Sequence, residues 1–405
     1  MRTIPFFFDS FPRSRRPDYP RHRGDLRTRV VIVGGGLTGC ACASAFATAC
    51  IRTVLLEADR IGASATAASA GLLRQDFDAT FQETSSRHGL RATRHLWQAM
   101  RRASLELAAT MRRLGIRCDL TPQDLVVFSA NDPLAARRLR REYEARRAAG
   151  LDVSWLNRPA LTRDTDLTAD AGVRVEGQAF DPYRGCVGLA AAATARGAII
   201  HERSPVRRVR AGRKSIAVRT DGGTITADAV IVATGGAIDD LQALRRHFVP
   251  RQSYAVVTEP MPAAVRRTVG RRAAALRDSR TPPHVLRWLK EERVYFSGAD
   301  QPPVAMRLRE RTLVQRAGQL MYELSTVYPG ISGLRADWAW DLVHYRSPDG
   351  LPVIGPHRNF PRHLLALGFG RHGAGVSWLA ARVLLRSFLG EPAKGDELFG
   401  FARIL

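Results

Sequence analysis

The sequence predicts an α/β fold with two domains: a Rossmann-like dinucleotide-binding domain and a second α+β domain built on a mainly antiparallel sheet. Three observations carry this prediction. At 30–57, an apolar β-branched run, a glycine turn, a helix of small residues and a second apolar run follow one another. Two later apolar runs, at 229–233 and 364–367, are typical of buried parallel strands and lead into glycine turns. Between 250 and 297, interrupted strand-like runs indicate an antiparallel sheet.

The stretch 30–57 contains a G-x-G-x-x-G motif formed by Gly34, Gly36 and Gly39. Gly34 permits the tight turn, Gly36 lets the backbone approach a pyrophosphate, and Gly39 lets the helix pack closely on the sheet. The helix N-terminus would present N–H groups and a positive dipole end to the phosphates. Glu57, at the end of the second strand, is placed to accept hydrogen bonds from ribose hydroxyls. The motif predicts a bound dinucleotide and leaves NAD and FAD open.

Composition excludes several classes of protein. The length of 405 residues predicts more than one domain, and no run of 18 uncharged apolar residues exists to span a membrane. The net charge is +24, but the arginines are spread along the chain, so an anionic small molecule is expected rather than nucleic acid. None of the five cysteines forms a C-x-x-C pair, which predicts no disulfide framework, no metal site and a cytoplasmic location.

Residues 1–26 are predicted to form an N-terminal arm. No apolar segment follows Arg15-Arg16, so this stretch does not have the pattern of a signal peptide. Its Pro, Phe and Arg content suggests an extended segment. We expect the aromatic run Phe6–Phe8 to dock it on the rest of the protein.

The remaining pattern predicts a mixture of helices and strands. Apolar residues recur at three- and four-residue steps from about 79 to 114, and Gly115 suits the position that ends this helix. Asp221-Gly222-Gly223 is typical of a hairpin turn. The other predicted elements are strand 125–128, helix 133–149, loop 177–188, helix 189–195, strand 198–201, hairpin 206–226, helix 313–328 and helix 376–389.

Four features resemble a known superfamily when taken in order. They are the Gly34–Gly39 turn with Glu57, the small hydroxyl-rich loop 61–73, the Ala233-Thr234-Gly235 strand end, and the paired segments 350–355 and 368–375. Together they resemble the D-amino-acid oxidase superfamily of FAD-dependent oxidoreductases, which includes sarcosine, glycine and γ-glutamylputrescine oxidases. The resemblance runs from Val30 to Leu389. It favours FAD, because a plain NAD dehydrogenase needs neither the Ala-Thr-Gly strand end nor the C-terminal glycine turn.

The resemblance implies two discontinuous domains. The FAD domain would use 27–76, 182–236 and 333–405, and the substrate domain would use 77–181 and 237–332. It also implies non-covalent FAD, because no cysteine follows Cys186 to link the flavin. The residues expected to bind FAD are Gly34, Gly36, Leu37, Thr38, Gly39, Glu57, Ala58, Ser64, Thr66, Gly71, Leu72, Val206, Ala233, Thr234, Gly235, Gly355, Gly370, Arg371, His372, Gly373, Ala374 and Gly375.

The chain departs from its relatives at the expected substrate site. Members that act on amino acids often carry W-x-G-x-R-P, whose Arg clamps the substrate carboxylate; here His344 stands in place of that Arg. Arg371 replaces a Gly expected before His372. Arg74 is a candidate replacement clamp and Tyr254 a candidate hydroxyl donor, so these five residues are the predicted catalytic or substrate-binding set.

The resemblance implies oxidation of a C–N bond in an amine or amino acid, with hydride passing to flavin N5. Oxidase and dehydrogenase both remain open, because no lysine is obviously placed to activate oxygen. Other features of the sequence suggest two alternative functions. The charge suggests a flavoprotein that acts on modified tRNA, and the unusual Leu342 and Arg371 suggest a non-catalytic flavin-binding subunit of a larger dehydrogenase.

Overall fold

The computed structural model of the protein describes residues 1–130, 132–236, 238, 241–269, 271–371 and 373–404. Within these residues the helices, in chain order, are α1 (Phe6–Asp9), α2 (Leu37–Thr48), α3 (Ala65–Ala68), α4 (Phe81–His88), α5 (Leu90–Arg113), α6 (Pro133–Ala148), α7 (Arg158–Thr165), α8 (Pro182–Thr194), α9 (Gln242–Arg245), α10 (Ala263–Thr268), α11 (Arg309–Val327) and α12 (Gly373–Leu389).

The strands of the same residues form sheets of different size. In chain order they are β1 (Leu26–Arg27), β2 (Val30–Val33), β3 (Thr53–Leu56), β4 (Leu72–Leu73), β5 (Thr121–Pro122), β6 (Leu125–Phe128), β7 (Ser154–Asn157), β8 (Ala171–Val175), β9 (Gln178–Ala179), β10 (Ile199–His201), β11 (Arg208–Ala211), β12 (Ile216–Thr220), β13 (Gly223–Ala227), β14 (Ala229–Gly235), β15 (Val249–Thr258), β16 (Ala275–Asp278), β17 (Val285–Trp288), β18 (Val294–Gln301), β19 (Ala336–Arg346), β20 (Val353–His357) and β21 (Phe360–Leu367).

A six-stranded sheet in the order β10-β3-β2-β14-β21-β20 forms the cofactor half of the molecule. All neighbours pair in parallel except β20, which runs antiparallel to β21. Val31 lies at the centre of this register, opposite Val54 on one side and Val230 on the other. The buried β-branched runs predicted at these positions therefore form the core of a Rossmann-like sheet, as expected.

The two faces of this sheet are covered differently. Val30 and Ile32 point toward a core shared with α2, α5, α8 and α12. Val31 and Val33 point the other way, toward the small sheet β1-β13-β12-β11. This alternation follows from the two-residue period of a strand and produces three layers: helices, parallel sheet and small sheet.

An eight-stranded sheet in the order β19-β15-β18-β17-β16-β6-β8-β7 forms the second half. Its pairings are antiparallel except for β16 with β6. One face packs against α11, and the predicted fold class of an α/β cofactor domain with a mainly antiparallel second sheet is confirmed. β19 falls within the stretch 333–405 that the sequence assigns to the FAD domain, yet its partner is β15.

Two predicted elements are corrected. The single helix expected at 79–114 is two helices, because Gly89 adopts φ +80 between α4 and α5 and α4 begins with its own capping box of Thr80 and Glu83. The predicted loop 177–188 contains the start of α8, which begins at Pro182 after the N-cap Asp181.

Gly115 follows the end of α5 with φ +63, as predicted. In the described part of the chain, no helix combines the length and apolarity needed to cross a membrane.

Candidate active site

The Gly34–Gly39 turn lies at the carboxyl edge of the parallel sheet, between β2 and α2. Gly34 has φ +106, and a Cβ there would stand 2.7 Å from the Ala233 carbonyl oxygen. A Cβ on Gly39 would stand 1.8 Å from the Gly34 carbonyl oxygen, so only glycine lets α2 approach the strand this closely. The N-cap of α2 is Gly36, which has no side chain to fill the space in front of the helix.

Glu57 follows β3 and closes the turn from the side. Its Oε2 accepts a hydrogen bond from the Gly35 N–H at 2.6 Å, and its Oε1 accepts one from the Asp59 N–H at 2.9 Å. Burial raises the pKa of Glu57, although these backbone hydrogen bonds oppose the shift. The Ser204 N–H donates to the Glu57 carbonyl at 2.8 Å, which brings the segment that contains Val206 beside this end of the site.

The segment 64–72 connects the glycine turn with a second region. Thr66 lies in α3, and its hydroxyl accepts a hydrogen bond from the Leu37 N–H at 2.8 Å, in the first turn of α2. Ser64 is exposed and is the N-cap of α3, and Ala58 is exposed beside Glu57. Further along the segment, Gly71 and Leu72 line a cavity.

The first turns of α2 and α12 meet beside this segment. The hydroxyls of Thr38 and Ser377 are 2.9 Å apart, which joins the two helix N-termini. Two positive dipole ends therefore converge on the same region, an arrangement suited to a pyrophosphate and to charge that develops on a bound ring.

Several predicted backbone positions border open space. A Cβ built on Gly235, Gly355 or Gly373 would meet no heavy atom within 4 Å. Gly235 ends β14 after Ala233 and Thr234, of which Ala233 is buried and Thr234 is exposed. We refer to these uncovered backbones and the bare N-terminus of α2 together as the cradle.

The cavity has a volume of about 620 Å³, including its open mouth, and lies between segment 68–72, the start of α12 and the eight-stranded sheet. Its sheet wall consists of side chains that alternate onto one face: Ser253 pairs with Leu342, and Ala255 pairs with Trp340 and Ser297. The wall is apolar and aromatic at one end and carries hydroxyls at the other.

Arg371 brings charge to this wall. Its guanidinium donates to the Pro283 carbonyl oxygen at 2.7 Å and to the Ser297 hydroxyl at 3.1 Å. It also forms an ion pair with Asp300 at 3.4 Å, and both side chains are nearly buried. The loop residue Gly370 before it has φ +62, and its N–H donates to the Tyr345 carbonyl at 2.9 Å.

Asp300 connects Arg371 with His344 and, through His344, with Ser253 of the wall. Its Oδ2 is 3.6 Å from His344 Nε2, which in turn is 2.9 Å from the Ser253 hydroxyl. Burial alone would raise the pKa of Asp300, but the hydrogen bond from His344 and the charge of Arg371 outweigh it and lower that pKa. The carboxylate is therefore ionised and balances the arginine charge.

A bulge in β18 explains why sequence reasoning missed Asp300. Ala299 has φ +53, and the pairing register of β15 with β18 shifts between Gln252 and Tyr254. Strict alternation from Ser297 would turn Asp300 to the other face, and the extra residue returns it to the face that carries Ser253, behind the cavity wall. Ser253 and Ser297 were also missed, because ordinary serines in strands carry no signal in one sequence.

The other predicted catalytic residues lie in different surroundings. Arg74 is buried and its guanidinium pairs with Asp76 at 2.7 Å; Arg74 and Arg146 outweigh burial and hold the pKa of Asp76 well below its usual range. The Tyr254 ring packs in the core beneath α11, and its hydroxyl accepts a hydrogen bond from Gln301 at 2.8 Å. His372 lies outside the described residues. His344 and Arg371 are the two members of the predicted set that the structure brings together.

A Rossmann-like sheet with a glycine turn, joined to a cavity on an antiparallel sheet, is the architecture of a flavin-dependent oxidoreductase. The family described as FAD dependent oxidoreductase matches residues 29–386. A match of this length shows membership: the chain belongs to the FAD-dependent oxidoreductase family. The resemblance predicted from the sequence is confirmed.

Individual relatives are distant but cover most of the chain. Gamma-glutamylputrescine oxidoreductase of Escherichia coli (strain K12) is 24% identical over 91% of this chain and 85% of that protein. Glycine oxidase of Geobacillus kaustophilus (strain HTA426) is 27% identical over 87% of this chain and 89% of that protein. The crystal structure of glycine oxidase from Geobacillus kaustophilus superposes with a TM-score of 0.77 at 21% identity, covering 94% of this chain and 100% of that one.

The protein is thus an oxidoreductase whose cofactor is FAD, in agreement with the predicted cofactor. The residues present fit this group. The cradle of uncovered glycine backbone, the two converging helix N-termini and the carboxylate of Glu57 supply the donors and the acceptor that a pyrophosphate and a ribose require.

Proposed function

We propose that the protein oxidises a C–N bond of an amine or amino acid, with hydride passing from the carbon next to nitrogen to flavin N5. The cavity between segment 68–72 and the eight-stranded sheet is the observation that carries this proposal, because it holds an apolar wall and a charged network beside the cofactor cradle. The relatives named above include an oxidoreductase of gamma-glutamylputrescine and an oxidase of glycine, which supports a small amine or amino acid as substrate.

In this proposal Gly34, Gly36, Thr38 and Gly39 hold the pyrophosphate, and Glu57 holds the adenosine ribose. Val206 contacts adenine, and the backbone of 233–235 passes under the cofactor. Residues 370, 371 and 373–375 would hold the flavin ring system. Bound FAD would supply the hydride acceptor, as flavins do in amine oxidation.

The substrate side is assigned to the wall of the cavity. Trp340 and Leu342 would exclude water and pack the substrate carbon chain. Ser253 would bind the substrate nitrogen through Oγ, and His344 Nε2, 2.9 Å away, would orient that hydroxyl. Asp300 would hold the His344 ring in place, and Arg371 would remain charge-balanced by the same carboxylate.

Arg74 and Tyr254 take supporting parts in this scheme. The Arg74 guanidinium is engaged by Asp76, and the Tyr254 hydroxyl lies on the α11 side of the sheet near Gln301. We therefore assign neither of them to the substrate carboxylate. We also propose a cytoplasmic location, in line with five free cysteines.

Anaerobic flavin reduction tests the function. Purified holoprotein should lose its visible flavin absorbance when mixed without oxygen with at least one member of a panel of primary amines, secondary amines and amino acids. Reoxidation in air, or only with an artificial acceptor, would then separate oxidase from dehydrogenase. A flavin that light reduces but that no compound of the panel reduces would overturn the proposal in favour of a non-catalytic flavin-binding subunit.

A further inference from the structure

The N-terminal arm precedes the stretch 29–386 that matches the family, yet it is fixed to the protein. The Arg2 N–H donates to the Asp337 carbonyl at 2.7 Å, and the Ala339 N–H donates to the Arg2 carbonyl at 2.9 Å. The arm therefore pairs with β19 along its edge. A second anchor follows in α1, where the Asp9 carboxylate accepts a hydrogen bond from the Trp338 indole at 2.9 Å.

Phe7 is the buried residue of α1, with only 4% of its surface exposed. It packs in one cluster with Ala67 of α3 and Tyr183 of α8. Ala67 directly follows Thr66, the residue whose hydroxyl holds the first turn of α2 at the pyrophosphate end of the cradle. The Phe7 ring thus supports the cofactor segment from behind.

Arg287, on β17, contacts the same ring and the same segment. Its guanidinium lies 5.5 Å from the centre of the Phe7 ring. Its Nη1 donates to the carbonyl oxygens of Ala70 at 2.6 Å and Gly71 at 3.2 Å, and to that of Phe180 at 2.8 Å. A side chain at Gly71 would collide with this group, since its Cβ would stand 2.5 Å from Nη1. Burial lowers the pKa of Arg287 to about 10, so the guanidinium stays charged at neutral pH.

Segment 67–71 is therefore held at both of its ends from the side away from the cradle. Phe7 packs at Ala67, and Arg287 binds the carbonyls of Ala70 and Gly71. The middle and far end of this segment line the cavity, and the Trp340 indole donates to the Ala68 carbonyl at 3.1 Å. The same few residues border the cofactor and the proposed substrate site, so a small displacement would be felt in both.

We propose that Phe7 and Arg287 are positioning residues for FAD: the N-terminal arm and β17 together hold segment 67–71 in the geometry that the cofactor requires. The arm is then a working part of the cofactor site rather than a disposable extension. This inference depends on FAD as the cofactor and is independent of which substrate is oxidised.

The test compares two substitutions in the same helix of the full-length protein. Phe7→Ala removes the contact with Ala67 and Arg287. Phe8→Ala removes the same volume from a partly buried ring at the rim of the same cluster, which contacts Tyr183, at 5.2 Å between centres, and Arg16, at 3.9 Å. Apoprotein prepared from each variant is titrated with FAD, flavin fluorescence reports the dissociation constant, and the unfolding midpoint of the apoprotein is measured in parallel.

We expect Phe7→Ala to weaken FAD binding about tenfold or more, as loss of a well-packed aromatic contact would, and Phe8→Ala to change it by about twofold or less. Phe7→Leu should recover most of the affinity, because it restores apolar volume. If Phe7→Ala and Phe8→Ala lower the apoprotein midpoint alike and leave the FAD dissociation constant equal to that of the parent protein, the role is structural and the proposal is overturned.

Arg287→Lys provides a second route that does not depend on the arm. It keeps the positive charge but cannot donate to three carbonyls with the same planar geometry. Arg293→Lys is the control, since Arg293 lies in the connection between β17 and β18 and binds Thr258 and Asp337 instead. We expect about tenfold weaker FAD binding for Arg287→Lys and near-parent affinity for Arg293→Lys. Equal affinities for both would also overturn the proposal.

Discussion

The nucleotide end of the site, around Gly34 and Glu57, comes from one short stretch of chain, 30–57, whereas the polar network at the other end draws Ser253, Asp300 and Arg371 from stretches far apart in sequence. The first region uses backbone N–H groups, helix dipoles and the absence of side chains. The second uses buried charged side chains that neutralise one another. A local motif can specify the first, and only the packing of two sheets assembles the second.

The two regions are therefore sensitive to different kinds of substitution. A region built from glycine backbone fails when any atom is added to it. A region built from a balanced network fails when one charge is removed, because the partner is left buried and uncompensated.

The largest effect is expected for Gly39→Ala. The added Cβ would stand 1.8 Å from the Gly34 carbonyl oxygen, so the turn must move and FAD binding should weaken by more than about 100-fold. Gly318→Ala is the matched control, because Gly318 also lies in a helix and its Cβ would meet nothing within 4 Å. That control should gain about 0.5–1 kcal/mol of stability. Titration of the apoproteins with FAD decides; near-parent affinity for Gly39→Ala would contradict the close approach of α2 to β2.

Asp300→Asn should lower the rate of anaerobic flavin reduction by about 100-fold, because Arg371 and His344 lose the carboxylate that holds them. FAD affinity should stay close to that of the parent protein, since Asp300 lies at the reacting end. Asp337→Asn is the control: it removes a carboxylate from an Arg293 ion pair in the same sheet, away from the cavity. Stopped-flow absorbance at saturating substrate measures the effect, and equal rates for the two variants would exclude a role for Asp300.

Glu57→Gln should weaken FAD binding by about tenfold, the worth of a hydrogen bond to a charged acceptor, and leave the reduction rate of the loaded enzyme unchanged. The amide also loses one of the two acceptors that now bind Gly35 and Asp59. Glu391→Gln, on an exposed residue outside the site, should alter neither quantity. A slower reduction step in Glu57→Gln with intact affinity would show that the two ends of the site are not separable.

The smallest effect concerns pH at the reacting end. His284 lies between Asp278, at 2.7 Å, and Glu323, at 2.9 Å, and the neighbouring Pro283 carbonyl holds Arg371. Burial lowers the pKa of His284, but the two carboxylates outweigh it and raise that pKa overall. A group whose pKa is raised on folding stabilises the protein fully below its unfolded pKa of about 6.5, and this contribution is lost as pH rises through the folded value.

We therefore expect the stability of the parent protein to fall by about 1–2 kcal/mol through that window, which His284→Gln should remove. Thermal unfolding of the apoprotein as a function of pH measures it. His247→Gln serves as the control, because burial near Arg246 lowers the pKa of His247 and gives it the opposite slope. An unchanged pH profile in His284→Gln would show that the two carboxylates do not act through this ring.

Much of the fold could be predicted because its signals are local. The runs at β2, β3 and β14 are apolar and β-branched, and each leads into glycine or an acidic residue at the sheet edge. The boundaries of the helices were harder to predict from the sequence. Gly89 separates α4 from α5, and the apolar pattern of this region does not reveal the break. The position of β19 beside β15 also depends on pairing between distant segments.

The Rossmann-like unit could be predicted from local sequence, because the glycine turn and the acidic strand end lie within 28 neighbouring positions, 30–57. The family and the FAD cofactor followed from the resemblance of this stretch taken together with 61–73, 233–235, 350–355 and 368–375. Only the tertiary structure decided what surrounds His344 and Arg371. A bulge at Ala299 turns Asp300 toward Arg371 and His344, and Arg287 reaches across to segment 67–71. Such contacts depend on the register and twist of two packed sheets, and no spacing along a single chain encodes them.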